Sequence, residues 1–208
     1  DGKLQYYLQL RSGESAIVCV YNEDVPGDAW PYYTKQPVSL SLDNGWSLVF
    51  TESEPAIPGT FTIDTLGSWT SLPVPEASIN RGSATYTITF DLPDIPCDEW
   101  ILDLGDVRES ARVTVNGTAV DTLWSVPFYT MVKRYLRSGT NRIDIEVTNL
   151  PANSIAEYDR RGIEWRRFKD ANINNLGYKK GKYGHWEVIP SGLLGPVHLV
   201  PVNLKNQF

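Results

Sequence analysis

Apolar and polar positions alternate with a period of two along much of the chain. The clearest run sets Ala84, Tyr86, Ile88 and Phe90 on one face and Thr85, Thr87 and Thr89 on the other, as in a strand with one face buried. Short runs rich in β-branched and aromatic residues recur at 4–10, 16–21, 38–42, 46–50, 61–64, 100–104, 111–115, 143–147 and 197–202. They predict about ten strands with no long helix between them. Turn signals such as Asp43-Asn44-Gly45, Asn116-Gly117 and Ser138-Gly139 separate the runs. Many short strands punctuated in this way predict an all-β, antiparallel β-sandwich of the jelly-roll kind. Alternation places Tyr86, Ile88, Phe90, Leu102, Leu104, Val113, Val115, Ile143, Ile145 and Val147 in its core.

Asn116-Gly117 is the sharpest local signal, because a two-residue type I′ turn needs positive φ at both central positions. It predicts a hairpin of residues 112–115 with 118–121. The same residues spell a glycosylation sequon, Asn-Gly-Thr, yet the turn explains them without an attached sugar. The one helical candidate is 129–136, where Val132, Tyr135 and Leu136 share a face before Ser138-Gly139.

Two stretches break the strand rhythm. Residues 22–37, with Pro26, Trp30, Pro31, Tyr32 and Tyr33, form a connection that marks a boundary near Gln36. Residues 1–36 are then an N-terminal β-hairpin appendage and linker, and 37–208 the main sandwich. Residues 149–184 run without a clear strand, a length that in a compact domain points to function or disorder. Their aromatics Tyr158, Trp165, Phe168, Tyr178 and Tyr183 favour an ordered loop, held by Trp165 and Phe168.

Composition narrows the function. The 208 residues carry a formal charge of −6 with 41% hydrophobic and 21% charged residues. Such a balance argues against nucleic-acid and anionic-membrane partners, which select clustered Lys and Arg. No apolar run approaches the roughly 20 residues of a membrane-spanning helix. The chain opens at Asp1 without a signal-peptide pattern, as expected of a mature or excised piece. Cys19 and Cys97 lack CxxC spacing and are expected as two buried free thiols. With only His185 and His198, no His-based metal site is expected.

Candidate chemistry lies in the 149–184 loop. Asp159, Arg160, Arg161, Glu164, Lys169 and Asp170 surround Trp165, with Tyr178 further on. An aromatic platform beside charged hydrogen-bonding groups suits a sugar, and the same mixture suits a docked domain. The competing structural reading is that the aromatics pin the loop while the charges are solvated or paired. Trp124, beyond the Asn-Gly hairpin at a predicted end of the sandwich, joins the binding candidates, whereas Trp46, Trp69 and Trp100 fall in or beside strands and are expected in the core. A glycosidase needs two carboxylates flanking the scissile bond. Asp159, Glu164 and Asp170 are the loop acids to test, but their basic neighbours lower a carboxylate's pKa where a general acid needs it raised. No catalytic residue is assigned.

The stretch Gly67-Ser68-Trp69, residues 82–93, the hairpin region 102–117 and the strand region 135–149 resemble the sugar-binding jelly rolls of glycoside hydrolase family 2, whose fold is galactose-binding-like. A closer resemblance is to the C-terminal region of α-L-rhamnosidases of glycoside hydrolase family 106. It rests on Asn149-Leu150-Pro151-Ala152-Asn153, on Asp159-Arg160-Arg161-Gly162 with Trp165, and on Pro190-Ser191-Gly192-Leu193-Leu194-Gly195-Pro196-Val197. That resemblance implies a non-catalytic accessory domain, with the catalytic acids in an upstream barrel of the same polypeptide and carbohydrate as the other partner. It implies a periplasmic or extracellular setting, no cofactor beyond a structural Ca²⁺ of the kind such jelly rolls sometimes hold, and residues 1–36 as the close of a preceding β domain, with truncation behind the abrupt start. An autonomous carbohydrate-binding module or lectin, and a purely structural spacer, are the alternatives.

Overall fold

A computed structural model describes residues 5–27, 30–166 and 181–205. In chain order the elements are β1 (Tyr33–Lys35), β2 (Leu40–Ser41), β3 (Trp46–Glu54), β4 (Thr60–Ile63), α1 (Pro75–Ser78), β5 (Arg81–Leu92), β6 (Glu99–Asp103), β7 (Asp106–Arg108), β8 (Ser110–Val115), β9 (Thr118–Leu123), β10 (Tyr129–Met131), β11 (Gly139–Thr148), α2 (Ala152–Arg160), β12 (Gly192–Gly195) and β13 (His198–Leu204). One antiparallel sheet has the order β4-β3-β5-β11-β8-β9; a second has β1-β13-β6-β10, with β2 also on β13; β12 and β7 form a small ladder.

Alternation explains why the two large sheets pack. Tyr86 and Ile88 of β5, Ile143, Ile145 and Val147 of β11, and Val113 and Val115 of β8 face Trp100 and Leu102 of β6 and Leu199 of β13 in one continuous core. The molecule is therefore an antiparallel β-sandwich. Every predicted core position is buried except Phe90, which is partly buried against the core edge. Trp46, Trp69 and Trp100 are interior, and the register pairs Ile143 with both Ile88 and Val115. Burial of this kind stabilises by about 25 cal/mol per Å² of apolar surface. The Asn-Gly hairpin forms as the spacing requires, with Val115 opposite Thr118 and φ of 50° at Asn116 and 82° at Gly117.

Several expectations give way. Residues 129–136 are β10 followed by a 3₁₀ turn at Lys133–Tyr135, because Thr130 pairs with Leu102 across the sheet edge. The 149–184 stretch contains α2, whose buried side is made by Asn153, Ser154 and Ala156, a polar and small surface with no apolar stripe to announce it. The cysteines are free, but Cys19 is exposed and Cys97 only half-buried.

The N-terminal hairpin is also different. Residues 11–14 turn, with the Glu14 N–H donating to the Arg11 carbonyl at 3.0 Å, yet the described residues of 5–27 contain no strand. The segment instead lies across the outer face of the second sheet. The Gln9 amide exchanges two hydrogen bonds with the Tyr33 backbone, 2.7 and 2.9 Å, and Arg11 forms an ion pair with Asp103. On that face Ile101 and Val202 are fully buried with Tyr33 in a second small cluster. β1 pairs with β13, so the main sheet already begins before Gln36.

Candidate functional site

The charged loop is organised by the end of α2. Asn153 exchanges two 2.9 Å hydrogen bonds with the backbone of Ile189, which sets the helix against the returning chain. Asp159, in the last turn, accepts from the Trp165 indole N–H at 2.7 Å and from the Tyr183 backbone N–H at 2.5 Å, with the Arg166 guanidinium 3.8 Å away. These bonds, that to the Tyr183 N–H first, hold its carboxyl below the ordinary range. Arg160 pairs with Glu157 at 3.0 Å and donates to the carbonyls of Gly184 and Trp186. Arg166 lies 4.3 Å from the Trp165 ring centre and donates to the Gly181 carbonyl at 2.5 Å. Tyr183 packs on Trp165 and Trp186 with ring centres 6.0 and 4.6 Å apart.

The structure thus brings Asp159, Arg160 and Trp165 together as a clasp between the helix end and residues 181–186. Arg161 and Glu164 stand at the surface, where Glu164 accepts the Arg166 N–H at 3.3 Å. Lys169, Asp170 and Tyr178, and the anchor Phe168, lie outside the described residues. Beside the clasp opens a cleft of about 560 Å³ lined by Asp159, Ile163, Glu164, Arg166, Lys182 and His185. Its chemistry is that of a polar surface. Asp159 is held ionised by internal donors, the opposite of what a general acid requires. Arg166 and Lys182 are not among the sequence candidates, and Tyr183, read only as a loop aromatic, joins the site because the fold carries residues 181–186 back onto α2.

Trp124 belongs to a separate cleft of about 490 Å³, walled by residues 10–15 and Trp30 on one side and by residues 121–127 on the other. Trp124 is 78% exposed and Trp30 is 60% exposed. Sequence spacing gives no hint that they share a cleft. Among the described residues no three His, Cys, Asp or Glu side chains converge as a metal set, and no helix is long and apolar enough to cross a membrane.

No family model matches the chain. A protein of Formosa agariphila described as "Putative beta-glucuronidase" is 29% identical over 182 residues, 78% of this chain and 16% of that protein. Among solved structures, a rhamnosidase from Novosphingobium sp. PP1Y superposes with a TM-score of 0.63 at 23% identity, over 86% of this chain and 16% of that one. A β-glucuronidase of Faecalibacterium prausnitzii gives 0.58 at 16% identity, over 82% and 33%. The chain therefore spans about a sixth of the curated relative and between a sixth and a third of these solved chains. Its sandwich is a fold found within glycoside hydrolases.

Proposed function

We propose that this chain is a non-catalytic accessory β-sandwich, of the sugar-binding jelly-roll kind, from a rhamnosidase-like glycoside hydrolase of family 106. In this reading it packs against a catalytic domain of the same polypeptide, contacts glycan and works in the periplasm or outside the cell. The observation that carries the reading is the alignment of 78% of the chain with only 16% of a protein described as a glucuronidase, a proportion that suits one domain among several. The state of Asp159 supports the non-catalytic part, since a carboxylate fixed by two donors beside Arg166 keeps its charge. An autonomous carbohydrate-binding module is the second reading, favoured by the exposed Trp30 and Trp124. The test is an assay of the purified chain against aryl α-L-rhamnosides and aryl β-D-glucuronides. No turnover is expected, and turnover that disappears on Glu164→Gln would overturn the accessory reading.

A further inference from the structure

We infer that the cleft between residues 10–15 and 121–129 binds a neutral oligosaccharide, with Trp30 and Trp124 as its sugar platforms. The inference rests on the glycan-contacting reading above and gives that contact a place and a ligand class.

A tryptophan left in water forgoes one of the largest burial gains available to a side chain. Here two do so across a single cleft, 60% and 78% exposed. Neither indole N–H has a hydrogen-bond partner among the described residues, so each ring offers an apolar face and a free donor together. Sugars present the matching pair, a C–H face and a rim of hydroxyls.

The cleft is built before any ligand arrives. At Gly13, φ is 93°, and a Cβ there would lie 2.9 Å from Val126 Cγ2 and 3.3 Å from the Val126 carbonyl oxygen. The left-handed φ favours glycine here, and any side chain would press on Val126 of the facing wall. Tyr129 donates to Glu14 Oε1 at 2.6 Å, and the Arg11 N–H donates to Glu14 Oε2 at 2.6 Å. The Arg11 guanidinium sits 4.2 Å from the Tyr129 ring centre while paired with Asp103. Burial, and then the bond to Glu14, raises the Tyr129 hydroxyl, which keeps it a donor at neutral pH. Glu14 is therefore fixed with acceptor capacity to spare, and little ordering remains to be done on binding.

Charge selects the class of sugar. Among the described residues the lining carries the acids Glu14 and Asp121 and no Lys, Arg or His, and the neighbouring Arg11 guanidinium is paired with Asp103. A uronate would meet two carboxylates, with the nearby Arg11 already paired to Asp103, whereas neutral hydroxyls find acceptors in both.

The test is titration of the full chain with neutral gluco-, xylo-, galacto- and rhamno-oligosaccharides and with glucuronate-bearing counterparts, read by tryptophan fluorescence and calorimetry. Saturable binding of a neutral member is expected, weakened tenfold or more by Trp124→Ala and by Trp30→Ala. Because both rings are exposed, the thermal unfolding of these variants should match wild type. The glucuronate counterpart should bind at least tenfold more weakly, with the gap narrowing in a Glu14→Gln, Asp121→Asn double variant. Unchanged affinity in both tryptophan variants would overturn this site while leaving the accessory reading in place. Absence of binding by every neutral member, with Trp30 and Trp124 serving a protein partner instead, would also overturn it. Equal or tighter uronate binding would overturn the ligand class, whereas turnover by the chain alone would count against the accessory reading and not against the cleft.

Discussion

Asn141 holds the neck of β11 through four hydrogen bonds on a fully buried side chain. Its Nδ2 donates to the carbonyls of Arg137 and Gly139 at 2.8 and 2.9 Å, and its Oδ1 accepts from the Arg137 N–H and from Asn116 Nδ2 at 2.9 and 2.8 Å. Asn116 in turn donates to the Tyr135 carbonyl and accepts from the Arg142 N–H. The Asn-Gly turn is thereby tied to the strand beside it, and its sequon asparagine is occupied by the protein itself. Each buried polar group left without a partner costs about 1 to 3 kcal/mol. Asn141→Ala should therefore destabilise by about 2 to 4 kcal/mol, seen as a lower urea midpoint. Asn141→Asp should cost at least as much, because a carboxylate cannot donate to two carbonyls. A midpoint within error of wild type for both would refute this account.

At the scale of elements, the clasp on α2 makes a pH prediction with a definite sign. The folded-state pKa of Asp159 is depressed, first by the Tyr183 N–H and then by the Trp165 indole. Its contribution is therefore present above the ordinary carboxylate pKa and lost as pH falls through the lower folded value. Exchange protection of the Tyr183 amide should persist through the ordinary carboxylate range and fail only below it; earlier loss would contradict the geometry. Trp165→Ala removes the indole donor and the ring between Arg166 and Tyr183, so limited proteolysis within 161–166 should accelerate, and equal cleavage would sink the anchoring role. Much of this level is legible in sequence where burial is one-sided. β5, β8 and β11 alternate as the interior demands, and Asn116-Gly117 declares its turn. α2 is hidden because Asn153 and Ser154 are buried through hydrogen bonds and tight packing, with no apolar periodicity to read. Residues 16–21 fail in the opposite way. They have strand composition, but β-propensity expresses a fit to neighbouring strands, and this run has no backbone partner among the described residues. The cleft of Trp30 and Trp124 is illegible for a third reason, since long-range docking of residues 9–14 creates it.

For the whole molecule, that docking joins stability to the proposed binding surface. A sandwich of two sheets needs only its inner faces buried, and the outer face of the second sheet would ordinarily be wet. Here Ile101 and Val202 are fully buried on that face, beside the two places where the N-terminal segment is fastened, Gln9 on Tyr33 and Arg11 on Asp103 and Tyr129. The segment is thus fastened beside an apolar strip of the main sheet while supplying Gly13, Glu14 and Trp30 to the cleft. Removal of residues 1–30 should leave the sandwich folded, because the continuous core draws on no described residue before Leu40. It should still cost about 1.5 to 3 kcal/mol for each large apolar side chain laid bare, which for a domain of this size lowers Tm by several degrees, at about 2 to 4 °C per kcal/mol. The sugar affinity assigned to the cleft should vanish in the same protein. An Arg11→Ala, Gln9→Ala double variant separates the two effects, since it releases the segment and keeps Trp30 in the chain. If binding depends on a seated wall, this variant should lose Tm and affinity together; full affinity with a lowered Tm would mean that Trp124 alone recognises the sugar and that the segment serves stability only.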